Sequence, residues 1–297
     1  MGLVGNALPG PALKKLLAAA VRGLGISLCL HRVSARPRSS EWQKTLSIPA
    51  YELDELLELL LSAGPARLSV TFDDGYSDAA GYLRTRAARF PTVDFTFFIC
   101  PEKAEVRAGF RWDLVEESLK RREPRETAMA LLKAPADVTK ENARPELRAL
   151  TGSQDYALCT VEELKELTAL PNVRLGNHTN LHLSSANAPD EVVRADFEHS
   201  TAAFTRLFGA PTQFAFPFGT PRFHFQQRHV DWLRALGDFP IWTTEARPYR
   251  LVEVKPQAVL PRFPVNGTKN ASTVAGWIAA RSFSFRARGT KHHFPAQ

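Results

Sequence analysis

The stretch that most constrains this chain runs from Arg67 to Asp78, where an apolar, β-favouring run ends abruptly in two adjacent carboxylates, Asp73 and Asp74, followed by Gly75. In a strand, neighbouring side chains point to opposite faces. The two acids therefore converge on one centre only if the backbone turns between or just after them, and Gly75 permits such a turn. A strand delivering acids to its tip gives each carboxylate a separate role. An Asp-Asp-Gly turn closing a hairpin would use the same residues for a purely structural end. The stretch from Val173 to His182 weakens that plainer reading, because it is a second strand-like run and ends in two histidines four apart, His178 and His182. Imidazoles and a carboxylate at the ends of separate strands form the donor set of a catalytic zinc site, which takes three protein ligands and leaves a fourth position open for water.

Thr71-Phe72-Asp73-Asp74-Gly75 together with His178-Thr179-Asn180-Leu181-His182 resembles the polysaccharide deacetylases of the NodB-homology, carbohydrate esterase 4 class. Three further stretches are similar to that family: Leu28-Cys29-Leu30-His31-Arg32-Val33, Phe214-Ala215-Phe216-Pro217-Phe218-Gly219 and Leu260-Pro261-Arg262-Phe263-Pro264-Val265. The resemblance spans residues 25–266, and the order of the stretches is that of the branch associated with bacterial exopolysaccharide and lipopolysaccharide gene products. It implies an α/β fold, a distorted (β/α) barrel, and a hydrolase that removes an N-acetyl group from an amino sugar in a glycan or glycolipid precursor. An O-acetyl esterase, another amide hydrolase, and a catalytically silent glycan-binding relative are the alternatives on the same fold. The cofactor implied is a divalent metal, zinc with cobalt as the substitute.

By the same resemblance Asp74, His178 and His182 are the metal ligands and Asp73 is the general base that takes a proton from the attacking water. The backbone N–H of Phe218 is placed at the developing oxyanion. Tyr76, Trp112, Trp242 and Phe216 are candidate apolar walls for a sugar, with ordinary packing as the alternative for each, while Asn177 and Thr179 are candidates to orient ligands. Two departures from the family stand out. Its usual Arg, two residues before the proline of Phe216-Pro217, is Ala215 here, and Arg262 is expected to fill that space from a neighbouring strand, a structural salt bridge being the alternative. The family's general acid, a histidine on a late strand, is also absent. Because a closed barrel lets a strand move from one end of the chain to the other without changing its neighbours, His31 at the end of the first strand takes that role, with His224 as the rival.

With 297 residues, 44% of them hydrophobic, the chain can bury one large core, and barrels of this size commonly form a single domain. Three segments are expected: an N-terminal helix in residues 1–24, a barrel over 25–266 with a helical insertion at 103–170, and a C-terminal helix and basic tail over 267–297. Apolar runs are too short to cross a bilayer, and Arg22 interrupts the stretch after Lys14 and Lys15 that imitates a signal peptide. Three widely spaced cysteines, Cys29, Cys100 and Cys159, suit reduced thiols and a cytoplasmic location. A net charge of +7 comes without a nucleic-acid-binding motif. The basic stretch from Arg281 to His293 is either a solvated terminus or a peripheral contact with a membrane.

Periodicity orders the rest. Leu53, Leu56, Leu57, Leu60 and Leu61 recur at helical spacing between Pro49 and Gly64, and Thr160 with Glu163 forms a capping box. Helices are expected over 12–22, 78–89, 190–208 and 226–236, and strands over 25–31, 93–100, 214–219, 241–243 and 257–263.

Overall fold

The computed structural model describes residues 10–35, 41–124, 126, 145–150 and 155–288. Eight segments form one curved parallel sheet: β1 (Leu24–Leu30), β4 (Arg67–Phe72), β5 (Val93–Ile99), β6 (Val173–Asn177), β7 (Phe214–Ala215), β8 (Ile241–Trp242), β10 (Val259–Leu260) and β11 (Phe263–Pro264), with spatial order β10-β8-β7-β6-β5-β4-β1-β11. The antiparallel β9 (Tyr249–Arg250) joins the start of β1, while β2 (Arg32–Ser34) and β3 (Ser47–Pro49) pair separately. The helices are α1 (Gly10–Val21), α2 (Glu41–Leu46), α3 (Ala50–Ala63), α4 (Ser77–Arg86), α5 (Pro101–Val106), α6 (Arg111–Lys120), α7 (Pro145–Leu150), α8 (Val161–Leu167), α9 (Asp190–Phe208), α10 (Gln227–Leu236) and α11 (Ala271–Arg288).

The sheet closes through one short segment. The strand expected over 257–263 is two two-residue strands separated by Pro261 and Arg262: the first pairs with β8 and the second with β1. Proline has no N–H to give a ladder. The segment therefore changes partner around Pro261, with Thr243 N–H donating to the Leu260 carbonyl (2.9 Å) and Val265 N–H to that of Cys29 (2.8 Å). The result is a nearly closed (β/α) barrel.

Strand alternation sorts side chains between two layers. On β1, β4 and β5, Ile26, Leu28, Leu30, Leu68, Val70, Phe72, Phe95, Phe97 and Ile99 lie in the core shared with the surrounding helices. That core includes the inner face of α3, whose Leu53, Leu56, Leu57 and Leu60 are buried, while Gly64 ends the helix in the left-handed region at φ 66°. It also takes Leu13, Leu17 and Ala20 of α1 and Val274, Ala275 and Ile278 of α11, so the two terminal helices share the barrel's core. The alternate positions form the barrel interior, where Phe98, Ala215, Trp242, Tyr249 and Leu260 cluster. Near their C-terminal ends the same inward rows carry Cys29, Asp73, His178 and Arg262. Polar chemistry is thus concentrated at one mouth.

The remaining expected helices appear with small shifts. The helix expected over 78–89 is α4 followed by a 3₁₀ turn at Ala87–Arg89. The capping box of α8 is formed, Glu163 N–H donating to Thr160 Oγ1 (3.2 Å) and Thr160 N–H to Glu163 Oε2 (2.9 Å). The middle of the expected insertion and the end of the basic tail lie outside the described residues. No helix of the described residues is long and apolar enough to cross a membrane.

Gly25 is required by the barrel interior. A Cβ there would lie 2.2 Å from the Tyr249 ring, which is fully buried behind it. Gly25→Ala is expected to lower unfolding free energy by about 1–3 kcal/mol through overpacking, read by urea denaturation. Because the two positions share one space, adding Tyr249→Leu should recover part of that loss; a Gly25→Ala variant as stable as the wild type would mean the interior has slack.

Candidate active site

The loop after β4 does what the adjacent acids demand. Asp73 keeps the strand's inward direction, its N–H donating to the Leu30 carbonyl (2.8 Å). Asp74 would then face outward, but its φ is +76° and that of Gly75 is +88°, so the chain reverses and brings the second carboxylate to the same mouth. The turn is pinned from outside by Cys159 N–H to the Gly75 carbonyl (2.9 Å) and Ser77 N–H to that of Ala157 (2.9 Å).

A second strained loop carries the histidines. Thr179 and His182 have φ values of 64° and 54°. Side chains hold this shape: Asn177 Oδ1 accepts from Thr179 N–H (3.0 Å) and Thr179 Oγ1 from His182 N–H (3.1 Å). Asp196 of α9 accepts from the N–H groups of Asn180 (2.9 Å) and Leu181 (3.1 Å). Burial pushes the Asp196 carboxyl up to about 6 despite these donors. Its sequence signal was available, since Val193, Asp196, Phe197, Ser200 and Phe204 form one helical stripe, buried here, in which a carboxylate interrupts an apolar face.

These loops bring Asp74, His178 and His182 together, with one donor atom of each within 4.8 Å of the others. Asp74 Oδ1 lies 3.0 Å from His182 Nε2 and 3.6 Å from His178 Nε2. His178 Nδ1 donates to the Ala215 carbonyl (2.8 Å), which leaves the Nε2 lone pair directed to the cluster. Burial holds the His178 imidazole down at about 4, in its neutral, ligating form. Apart from the 3.0 Å approach of Asp74 Oδ1 to His182 Nε2, the carboxylate oxygens of Asp74 and the ring nitrogens of His182 are buried without a partner among the described residues. Buried polar atoms are rarely left so. Two imidazole nitrogens and one carboxylate fit a divalent cation, and zinc among the common ones.

Asp73 stands beside this cluster, Oδ2 3.7 Å from His178 Nε2. Arg262 grips it with both arms of its guanidinium, Nη1 to Oδ1 at 2.6 Å and Nη2 to Oδ2 at 3.0 Å. The fork is itself fixed: Nη1 also donates to Thr71 Oγ1 (2.8 Å) and Nε to the Thr243 carbonyl (3.2 Å). Burial opposes ionisation of Asp73, but the charge and hydrogen bonds of Arg262 overcome it and hold the carboxyl well below the usual range. The Cys29 thiol also points at Asp73, Sγ 3.4 Å from Oδ2.

Other expected site residues fall in different places. Phe218, at φ +60° and half exposed, sits at the mouth with its ring 5.2 Å from that of His182. His31 follows β1 and is partly buried. His224 is partly buried, with Nδ1 accepting from the Thr220 N–H (3.2 Å). Arg262 takes the place expected for the family's arginine, and neither it nor Tyr76 can also contact a substrate as expected from the sequence, because each has no exposed surface. Arg262 serves Asp73 from behind, and the Tyr76 hydroxyl is spent on Asp113 (2.9 Å). Trp242 and Phe216 are not walls of the cleft: Trp242 donates to Gln213 Oε1 (2.8 Å) inside the barrel, and Phe216 stacks on Phe225 at 4.0 Å. The cleft beside His182, about 250 Å³, is walled instead by Phe110, Trp112, Leu181 and Phe218 with Lys103 and Arg111.

A parallel barrel with an Asp-His-His cluster and a clamped carboxylate at its mouth defines a class of hydrolase scaffold. The sequence model described as Polysaccharide deacetylase matches residues 62–237, more than half of the chain, and the chain belongs to that family. It is accordingly a hydrolase of carbon–nitrogen bonds. A search of curated proteins finds no match. Among solved structures, a de-N-acetylase from Aggregatibacter actinomycetemcomitans is similar at a TM-score of 0.58 and 13% identity, over 86% of this chain and 100% of that one. IcaB from Ammonifex degensii aligns at 0.51 and 20% identity, over 86% and 97%. A polysaccharide deacetylase from Bacillus cereus aligns at 0.54 and 14% identity, over 85% and 68%. At these identities the likeness is one of fold.

The Arg262–Asp73 pair gives a stability prediction. Arg262→Met leaves a buried carboxylate uncompensated and is expected to lower stability by about 3–5 kcal/mol. Asp73→Asn on that background should recover a large part of the loss in denaturant unfolding, and strictly additive losses would mean that the two side chains are energetically independent.

Proposed function

We propose that this protein is a metal-dependent hydrolase that removes the N-acetyl group of an amino sugar within a glycan or glycolipid precursor. The observation that carries this reading is the buried Asp74, His178 and His182 cluster, with orphaned ligand atoms, beside a separately clamped Asp73. Membership in the polysaccharide deacetylase family supports it, as does the shared fold with the Aggregatibacter de-N-acetylase.

Asp74, His178 and His182 would hold the ion, zinc being the best match and cobalt a substitute. When bound, it would polarise the acetamide carbonyl and acidify a water at neutral pH. Asp73 is kept ionised and fixed in direction by Arg262, so it accepts the proton of the attacking water at Oδ2, the oxygen nearer the cluster. The Phe218 N–H, in the exit loop of β7, is the donor offered to the developing oxyanion. Protonating the amine is required because an amide anion is too poor a leaving group, and His31, which follows β1, supplies that proton.

Acetate release from N-acetylated chitooligosaccharides and lipid-linked N-acetylhexosamines, with O-acetylated sugars alongside, tests the reaction. Chelation should abolish release from the N-acetyl substrates and zinc or cobalt should restore it; full activity after verified metal removal, or release only from O-acetyl sugars, would overturn the reading.

Division of labour between the acids has its own outcome. Asp74→Asn, His178→Ala and His182→Ala should each lower zinc content measured by elemental analysis, whereas Asp73→Asn should keep zinc and lose most of kcat, by on the order of 10²–10⁴-fold as expected for a lost general base. Equal zinc loss in Asp73→Asn and Asp74→Asn would refute the assignment. His31→Gln should likewise retain zinc and lose kcat, and a collapse confined to His224→Gln would move the acid to the exit loop of β7.

A further inference from the structure

The family's chemistry is built on strand ends, yet the cleft beside it is walled in part by a segment that is not a barrel element. Phe110, Arg111 and Trp112 open α6, in the insertion between β5 and β6, and all three line the cleft. Trp112 is half-buried, and its ring meets that of His182 at 4.7 Å and 63°. Behind it Phe110, almost fully buried, stacks parallel to the indole at 4.3 Å and 10°. A packing tryptophan normally buries both its ring and its N–H. Here the ring borders the cleft while the N–H is taken care of elsewhere, and Phe110 backs it as a rigid support.

The support reaches the metal-ligand loop. Trp112 Nε1–H donates to Tyr76 Oη (2.9 Å), and the Tyr76 hydroxyl donates to the Asp113 carboxylate (2.9 and 3.0 Å). Asp113 in turn accepts from the Phe110 N–H (3.3 Å), which fixes the first turn of α6. Tyr76 lies two residues after Asp74 and is held by the Arg32 guanidinium over its ring at 4.6 Å; Arg32 is anchored to Asp78 at 2.8 Å. One buried hydroxyl thus joins the insertion to the loop that carries both acids, and sets how far the indole stands from His182.

We propose that Trp112 is a saccharide-contacting, specificity-determining residue of this site, and that Tyr76 and Asp113 are the positioning residues that hold it against the cleft. The proposal rests on the deacetylase reading above and adds to it where the sugar is gripped. Pyranose rings present patches of C–H bonds that bury well on an aromatic face, and a ring with its N–H already satisfied and its back supported loses little freedom when a sugar docks. Phe218, on the exit loop of β7, supplies a second aromatic at the same mouth, so the cleft takes its apolar walls from two separate parts of the chain.

The test separates sugar binding from chemistry. Zinc-loaded full-length protein is assayed on an N-acetylated chitooligosaccharide and on 4-nitrophenyl acetate, an ester with no sugar to grip. Trp112→Ala should raise the saccharide KM about tenfold with kcat within about threefold, the pattern of lost uniform binding. Zinc content should be retained, and ester turnover should fall far less than saccharide kcat/KM. Trp112→Phe, which keeps a ring without the indole N–H, should return KM most of the way, and Asp113→Ala should reproduce the KM rise by releasing the wall. If Trp112→Ala does not fold, Trp112→Leu takes its place with the same expected KM rise. An unchanged saccharide KM, or a parallel fall in saccharide and ester turnover with loss of zinc, would overturn the proposal and leave the deacetylase reading standing. A wild-type enzyme that cleaves the ester but no N-acetylated sugar would overturn both.

Discussion

Everything at the barrel mouth depends on the fork between Arg262 and Asp73. It is buried on all sides, and its two partners sit on segments about 190 residues apart in sequence that meet only because the barrel closes. A buried ion pair is weak evidence for stability, since desolvation offsets much of the attraction. What this pair secures is geometry. The closing segment is too short and too proline-rich to form a continuous strand, so few ladder bonds hold it. The guanidinium fills that gap by bonding to Thr71 on β4, to Asp73 just past it and to the Thr243 carbonyl just past β8. Closure of the fold and orientation of the Asp73 carboxylate are therefore the same interaction.

This also explains how the chain tolerates Ala215. In the family pattern an arginine at that position would come from β7, but here the Ala215 carbonyl is occupied as the acceptor for His178 Nδ1, and its small side chain lies in the interior cluster with Phe98 and Leu260. The guanidinium enters from the closing segment instead, stacked over the Phe98 ring at 5.3 Å. What matters to Asp73 is a cation of fixed direction, and a barrel offers more than one strand from which to supply it.

Much of this was legible in the sequence because it obeys local rules. The acid-ended strand, the leucine face of α3 with its glycine stop and the capping box of α8 each follow from short-range periodicity or capping chemistry. Asp74, His178 and His182 were legible as one cluster because a turn after one acid and a four-residue histidine spacing bring strand-end side chains to the same mouth. The closing strand was not, because its partners are set by where the barrel ends meet, and Pro261 splits a run that periodicity alone reads as continuous. Tyr76 does not line the cleft for a related reason: an aromatic ring next to the acids reads as a wall for a sugar, whereas its burial is decided by Asp113 and Arg32, far away in the chain. Asp196 was overlooked because a carboxylate on a helix is ordinarily read as solvated.

The strained residues show why these features coexist. Asp74, Thr179, His182 and Phe218 all adopt positive φ, a conformation that costs a non-glycine residue on the order of 1–3 kcal/mol. All four surround one cluster in which Asp74 and His182 leave buried polar atoms without partners. A chain selected for stability alone would relax these turns and pair those atoms. Their shape is instead over-determined by Asp196, Asn177, Thr179 and the 157–159 segment, which hold the loops from behind. Strain and unpaired polar atoms are thus concentrated where Asp74, His178 and His182 converge, and the surrounding hydrogen bonds of Asn177, Thr179 and Asp196 keep them there.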